Sequence, residues 1–208
     1  MPGKKASEAE RREQILTAAH QVALRQGIEG LTVRAVAARA RLSHGLVLFH
    51  FKRKDQLVAA VLDRVLAATL PPRLAAQGAP PANPPARLQA VLRGEVDRLS
   101  RDGRQMRLFL EYWALGTRQP VVRARVRAAL EHYRLAFRPI TEDVLASEPA
   151  RFSGLTSEGL AAVAVSFING CAVQAMIDPD HFDVEKYLAA VHVMVGGLEN
   201  HLRLTGSL

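Results

Sequence analysis

Apolar residues recur along this chain at intervals of three and four, the spacing of one helix face, and show no strand-like alternation. Ile15, Leu16, Ala19, Val22 and Ala23 form the first stripe. Ser7-x-x-Glu10 ahead of it is a capping box and Gly27 behind it a stop, so a helix is predicted between them. Thr32 can cap a second helix over roughly Val33 to Ala40, with Val33, Val36, Ala37 and Ala40 as its inner stripe. Ser43 can cap a third, in which Val47 and Phe51 share a face. A fourth should run from about Asp55 to Leu70, its acidic first residue suited to a helix N-terminus. Further helices are expected near 86–101, 104–118, 120–146, 156–178 and 183–204. Gly103, Pro120, Glu148-Pro149 and Pro179 mark their ends, and Pro139 should kink the third of them. No internal repeat is present. Ala, Leu, Val and Arg dominate, aromatics make up 5%, and the fold class expected is all-α.

The second and third helices leave room between them only for a sharp corner. A helix-turn-helix needs a small residue where the helices cross, an apolar one after the turn and another in the second helix. Ala37, Leu42 and Val47 supply these in order. Successive amphipathic helices occur in any all-α protein, so charge has to separate the readings. Residues 1–54 hold eleven Lys/Arg against four Glu, a net of +7, while the whole chain carries +8. A polyanion-binding surface concentrates charge in this way, because each neutralised phosphate releases counterions. The helix pair is therefore read as a DNA-binding unit whose second helix enters the major groove.

Thr32, Val33, Val36, Ala37, Ala40, Leu42, Ser43, Gly45, Phe51 and Lys54 follow the pattern of the TetR family of bacterial regulators, which the chain resembles over about residues 9–69. Three departures stand out. Arg41 occupies the turn position usually held by Gly, where a left-handed backbone costs a side chain roughly 1 kcal/mol. Leu48 and His50 stand where the family usually carries tyrosines, and Lys52 replaces its usual Pro. Ser43, His44, Gly45, Leu46 and Phe49 are placed to face the groove or its walls, and Thr32, Arg34, His50 and Lys54 to meet phosphates.

Six of eleven prolines fall between Pro71 and Pro85, which divides the chain. The organisation expected is a DNA-binding domain at 9–69, a Pro-rich connection at 70–86 and an effector-binding and dimerisation domain at 87–208. A lone Cys171 and a polar N-terminus without an apolar h-region point to the cytoplasm. Leu160 to Ile177 is eighteen residues without a charge, the threshold for a membrane span. Its Ser166, Asn169, Gly170 and Gln174 and its lack of basic flanks favour instead a helix buried on most sides, with no membrane partner.

Enzyme signatures are absent: there is no Gly-rich phosphate loop, nucleophile elbow, paired Cys motif or His-Glu-x-x-His. The seven histidines are scattered, so neither a metal site nor a cofactor is expected. The arginines from Arg118 to Arg138 spread around their helix as a solvated face. Phe109, Trp113, Tyr133, Phe137 and Phe167 are read as one apolar cavity for a small-molecule effector of unknown identity, with Glu111 or Asn169 orienting it; a fully packed core is the alternative. The stretch from Phe109 to Val126 resembles the BetI-like branch of the family, whose members include choline-responsive repressors. A quaternary ammonium would suit an aromatic cage.

The last two helices are expected to form a homodimer interface. Leu160, Val163, Phe167, Cys171 and Gln174 line one stripe, with Leu188, Val191, Val195 and Leu198 on the other helix. The resemblance implies a two-fold four-helix bundle, and paired half-sites on a palindromic double-stranded DNA operator also require a dimer. The reading is a ligand-responsive transcriptional regulator, a repressor released by its effector. Its rivals are a ligand-independent architectural DNA binder and an enzyme with a helical catalytic domain.

Overall fold

The computed structural model of the protein describes residues 7–70, 74 and 83–196. Among these residues there are nine α-helices and no strand. Four belong to the N-terminal region: α1 (Glu8–Gln26), α2 (Val33–Ala40), α3 (His44–Phe51) and α4 (Lys54–Thr69). Five follow: α5 (Pro84–Ser100), α6 (Gly103–Gly116), α7 (Pro120–Ser147), α8 (Ser157–Ile177) and α9 (Val184–Gly196). The capping box is formed, with Ser7 N–H donating to Glu10 Oε2 at 2.7 Å and Glu10 N–H to Ser7 Oγ at 3.2 Å. Gly27 closes α1 at φ +71°, a conformation open to glycine.

One sequence boundary shifts for a local reason. α5 starts at Pro84 because Asn83 caps it and proline fits a first helical turn, whose N–H groups have no partner within the helix. α7 runs from Pro120 to Ser147 with Pro139 inside it, as the sequence spacing led one to expect. Most of the Pro-rich connection, 71–82 apart from residue 74, and the expected end of the last helix, 197–204, lie outside the described residues.

The helices sort into two compact units. The first contains α1–α4 together with Arg104–Leu130, thus most of α6 and the start of α7. In it α1 packs on α2 and α4, α3 on α2 and α4, and Ile15, Leu31, Val36, Val47, Leu57, Val61 and Val65 are buried. Packing thus groups residues 104–130 with the helix-turn-helix, where the sequence division had placed them with the C-terminal region. In the second unit, α5 packs on α8 and α9, and α8 on α9.

Within the single chain, α8 is covered on one side rather than on most sides. Only 39% of its most apolar window is buried. Ala161, Ala164, Val165, Ile168, Cys171 and Ala172 point inward, while Ala162, Val163, Ser166 and Ile177 are exposed.

Candidate nucleic-acid interface and C-terminal unit

The corner between α2 and α3 is built by local hydrogen bonds. Thr32 Oγ1 accepts from Ala35 N–H at 3.1 Å, starting α2. α2 ends in a Schellman motif: Leu42 N–H donates to Ala37 O at 3.0 Å and Arg41 N–H to Ala38 O at 3.2 Å. This closure requires a left-handed residue, and Arg41 supplies it at φ +56°, ψ +44°. Ser43 Oγ then accepts from Leu46 N–H at 3.2 Å, starting α3. The caps use only the hydroxyl oxygens, so the protons of Thr32 and Ser43 remain free to meet a phosphate or a base.

Burying Val47 and Phe51 decides which face of α3 is left outside. At about 100° per residue, Gly45 and Phe49 lie opposite them and Leu48 lies on the flank, while Lys52 follows the helix as its cap. Phe49 is 70% exposed and Leu48 39%, while Leu46 and His50 sit half-buried on the flanks. The His50 ring meets Phe49 edge-on with centroids 5.2 Å apart. Thr32, Arg34, Arg41, Ser43, His44, Gly45, Lys52, Arg53 and Lys54 are all exposed. The structure therefore leaves most of the predicted groove-facing and phosphate-facing residues exposed, with Leu46 and His50 turned partly inward.

Neighbouring helices hold this surface in place. Gln14 Nε2 of α1 donates to Ala40 O, an end carbonyl of α2, at 3.0 Å. The Arg12 guanidinium lies 4.8 Å from the centre of the Phe51 ring. Arg53 forks onto Asp55 at 3.1 and 2.8 Å, which leaves Lys54, the first residue of α4, as an exposed cation beside a helix N-terminus. Both the charge and the free N–H groups there suit a phosphate.

The expected effector residues divide between the units. Phe109, Glu111 and Trp113 belong to the first; Tyr133, Phe137, Phe167 and Asn169 belong to the second. Phe109 and Trp113 meet edge-on at 5.3 Å. Glu111 does not serve as a counter-charge to rings: its Oε2 accepts from Ile28 N–H at 2.8 Å, beside Gly27. That carboxylate instead satisfies the loop between α1 and α2. Around it lies a cleft of about 580 Å³ lined by Arg25, Gly27, Ile28, Arg107 and Arg118.

In the second unit Tyr133 and Phe137 are fully buried and meet edge-on at 5.4 Å. Tyr133 Oη donates to Glu95 Oε2 at 2.7 Å. Glu95, only 2% exposed, also accepts from Arg98 Nη2 at 2.5 Å. Burial, and then the charge of Glu95, push the Tyr133 phenol above its ordinary range. Asn169 is 7% exposed and its Oδ1 has no hydrogen-bond partner. Sequence reasoning missed Glu95 and Arg98. The signal was present, because Glu95 stands at helical spacing among Leu88, Leu92, Val96 and Leu99.

The proposed interface residues need correction on α9. Leu188 is 8% exposed and Val191 2%, so both are covered within the chain. They share the face of α9 that packs on α5 and α8, whereas Val193 on the opposite face and Met194 on the flank are exposed. On α8, Cys171 is buried and Val163 is 46% exposed, with Leu160 and Phe167 between these extremes. The side chain of Val195, and Leu198, lie outside the described residues.

Known proteins share both parts of this arrangement. Residues 15–61 match the family described as bacterial regulatory proteins, tetR family, and residues 84–198 match the C-terminal family of BetI-type transcriptional repressors. The HTH-type transcriptional regulator BetI of Stenotrophomonas maltophilia (strain R551-3) is 31% identical over 184 residues, 88% of this chain and 90% of its own. Among solved structures, a Pseudomonas aeruginosa PAO1 protein aligns with a TM-score of 0.77 at 19% identity, covering 97% of this chain and 96% of that one. A Saccharomonospora viridis protein solved in complex with choline aligns with a TM-score of 0.69 at 19% identity, over 90% of this chain and 96% of that one. The exposed recognition helix and the two family matches together place this chain in the TetR family of transcriptional regulators, with a C-terminal domain of the BetI type.

Proposed function

We propose that this regulator is a homodimeric repressor that leaves a palindromic DNA operator when a small molecule occupies its C-terminal domain. The observation that carries the reading is the surface around α3. A capped helix turns its unburied face outward, with Arg34, Arg41, Lys52, Arg53 and Lys54 exposed around it. In this reading residues 9–69 hold the DNA, 70–86 connect, and 87–208 bind effector and partner. Ser43, His44, Gly45 and Phe49 meet bases, while Thr32, Arg34, His50 and Lys54 meet phosphates. The apolar residues left exposed on α8 and α9 suit a second copy, and two copies present two recognition helices to the two half-sites. The cytoplasm, where the DNA is, is the compartment this requires.

The effector shifts the population towards a state in which both half-sites cannot be engaged together, so affinity falls. Tyr133, Phe137, Phe167 and Asn169 are the residues of the second unit assigned to it. The choline found in one structural relative makes quaternary ammonium compounds the first class to try. The test is a footprint of the full-length protein on the DNA next to its own gene, with and without choline and related cations. Protection of one inverted repeat, lost on adding a compound, is the expected result. Uniform coating that no compound alters favours an architectural DNA binder. Lys54→Ala should weaken binding to all sequences alike and lower the salt slope by about one. An unchanged slope would remove Lys54 from the phosphate contacts.

A further inference from the structure

Hydrogen-bonding groups are scarce on the outward face of α3. Opposite the buried Val47 and Phe51 stand Gly45 and Phe49, with Leu48 exposed on the flank, and Phe49 is 70% exposed. A monomeric protein gains nothing by holding Phe49 and Leu48 in water on an otherwise cationic surface. Gly45, on the same face, has nothing within 4 Å of where a Cβ would stand. No packing inside the chain requires the glycine there. It leaves an open recess beside Phe49 through which another surface can approach the helix backbone.

The floor of the major groove offers one apolar group large enough to pack against a side chain, the 5-methyl of thymine, among hydrogen-bond donors and acceptors. We infer that Phe49, with Leu48, reads thymine methyl groups, so that each operator half-site is specified by apolar contact at one or two A·T pairs. His44 at the start of the helix, with its exposed ring, is left to supply hydrogen-bonded readout, and Lys52 meets the backbone. The inference rests on the placement of α3 in the major groove under the function proposed above. It adds the chemistry by which that helix selects its site.

Deoxyuridine differs from thymidine only by lacking the methyl, which makes the test direct. Binding sites would first be selected from random duplex DNA with the full-length protein. Each thymine of the selected half-site would then be replaced by deoxyuridine, with flanking thymines replaced as a control for altered DNA stiffness. One or two positions should lose about three- to five-fold in affinity, the effect of unburying one methyl-sized group, and flanking positions should lose none. Phe49→Ala or Leu48→Ala should bind the thymine site more weakly and no longer distinguish it from the deoxyuridine site. Both side chains are exposed, and an unchanged melting curve would verify the fold. If a sequence is selected but no deoxyuridine substitution matters, methyl reading is wrong while DNA recognition by α3 stands. If both variants still discriminate, the methyl is read by other residues and the assignment is overturned. If no sequence is enriched, operator recognition itself fails and the inference falls with it.

Discussion

Arg41 holds a backbone conformation that its side chain disfavours. At φ +56° and ψ +44° its Cβ crowds the carbonyl that follows, a cost of about 1 kcal/mol that glycine does not incur. The Schellman closure needs that conformation, and the corner between α2 and α3 needs the closure. Arg41→Gly should therefore raise the melting temperature by about 2–4 °C in calorimetry, because it relieves strain without losing a backbone hydrogen bond. The same change removes an exposed cation beside α3, so DNA affinity should fall as stability rises. No gain in melting temperature would mean that the arginine sits there unstrained. Cys171 illustrates burial instead. Loss of water, aided by the nearby charge of Asp97, pushes its thiol up to about 11, so little thiolate exists at neutral pH. Ellman's reagent should label the native chain slowly and the unfolded chain at once; rapid native labelling would show that α8 opens readily.

At the scale of elements, α8 and α9 show how far a helical pattern can be read. Both were legible as helices with apolar stripes, and both have apolar residues on more than one face. Spacing locates a stripe without saying what covers it. For α9 the covered stripe holds Leu188 and Val191, while Val193 and Met194 are exposed. The two classes of position should respond differently to charge. Leu188→Asp would bury an unpaired carboxylate inside one chain and cost several kcal/mol, so the protein should unfold or lose much of its thermal stability. Val163→Asp, at a position 46% exposed in the single chain, should leave the helical signal intact. Sedimentation should then show monomers that bind an operator weakly. A Val163→Asp protein that remains dimeric would place the interface elsewhere. The α2–α3 corner needed no such arbitration, because its caps and its turn are set by residues within a few positions of each other.

For the molecule as a whole, the buried hydroxyls tie stability to pH. Tyr112 Oη donates to Val58 O at 3.0 Å and Tyr133 Oη to Glu95 at 2.7 Å. Burial foremost raises all three tyrosines of the chain above their ordinary range. A group whose folded-state pKa is raised stabilises the fold fully below its unfolded value, about 10 for tyrosine, and that stability is lost as pH climbs beyond it. Alkaline unfolding should begin above about pH 10, with phenolate absorbance rising together with loss of the helical signal. Ordinary titration near pH 10 in an intact helical protein would contradict the burial. These links also mark the limit of a sequence reading. The capping box at Ser7, the caps at Thr32 and Ser43 and the left-handed Arg41 all follow from partners no more than five residues apart. Local sterics and helical periodicity act at that range, so the sequence by itself determined the all-α fold and the DNA-reading corner. Glu111 meets Ile28 across 83 positions, and Tyr133 meets Glu95 across 38. Periodicity carries no information over such separations. Only the tertiary structure decided that Glu111 serves a loop, that Glu95 is buried, and which faces of α8 and α9 stay exposed, because those outcomes depend on which distant helix arrives to exclude water.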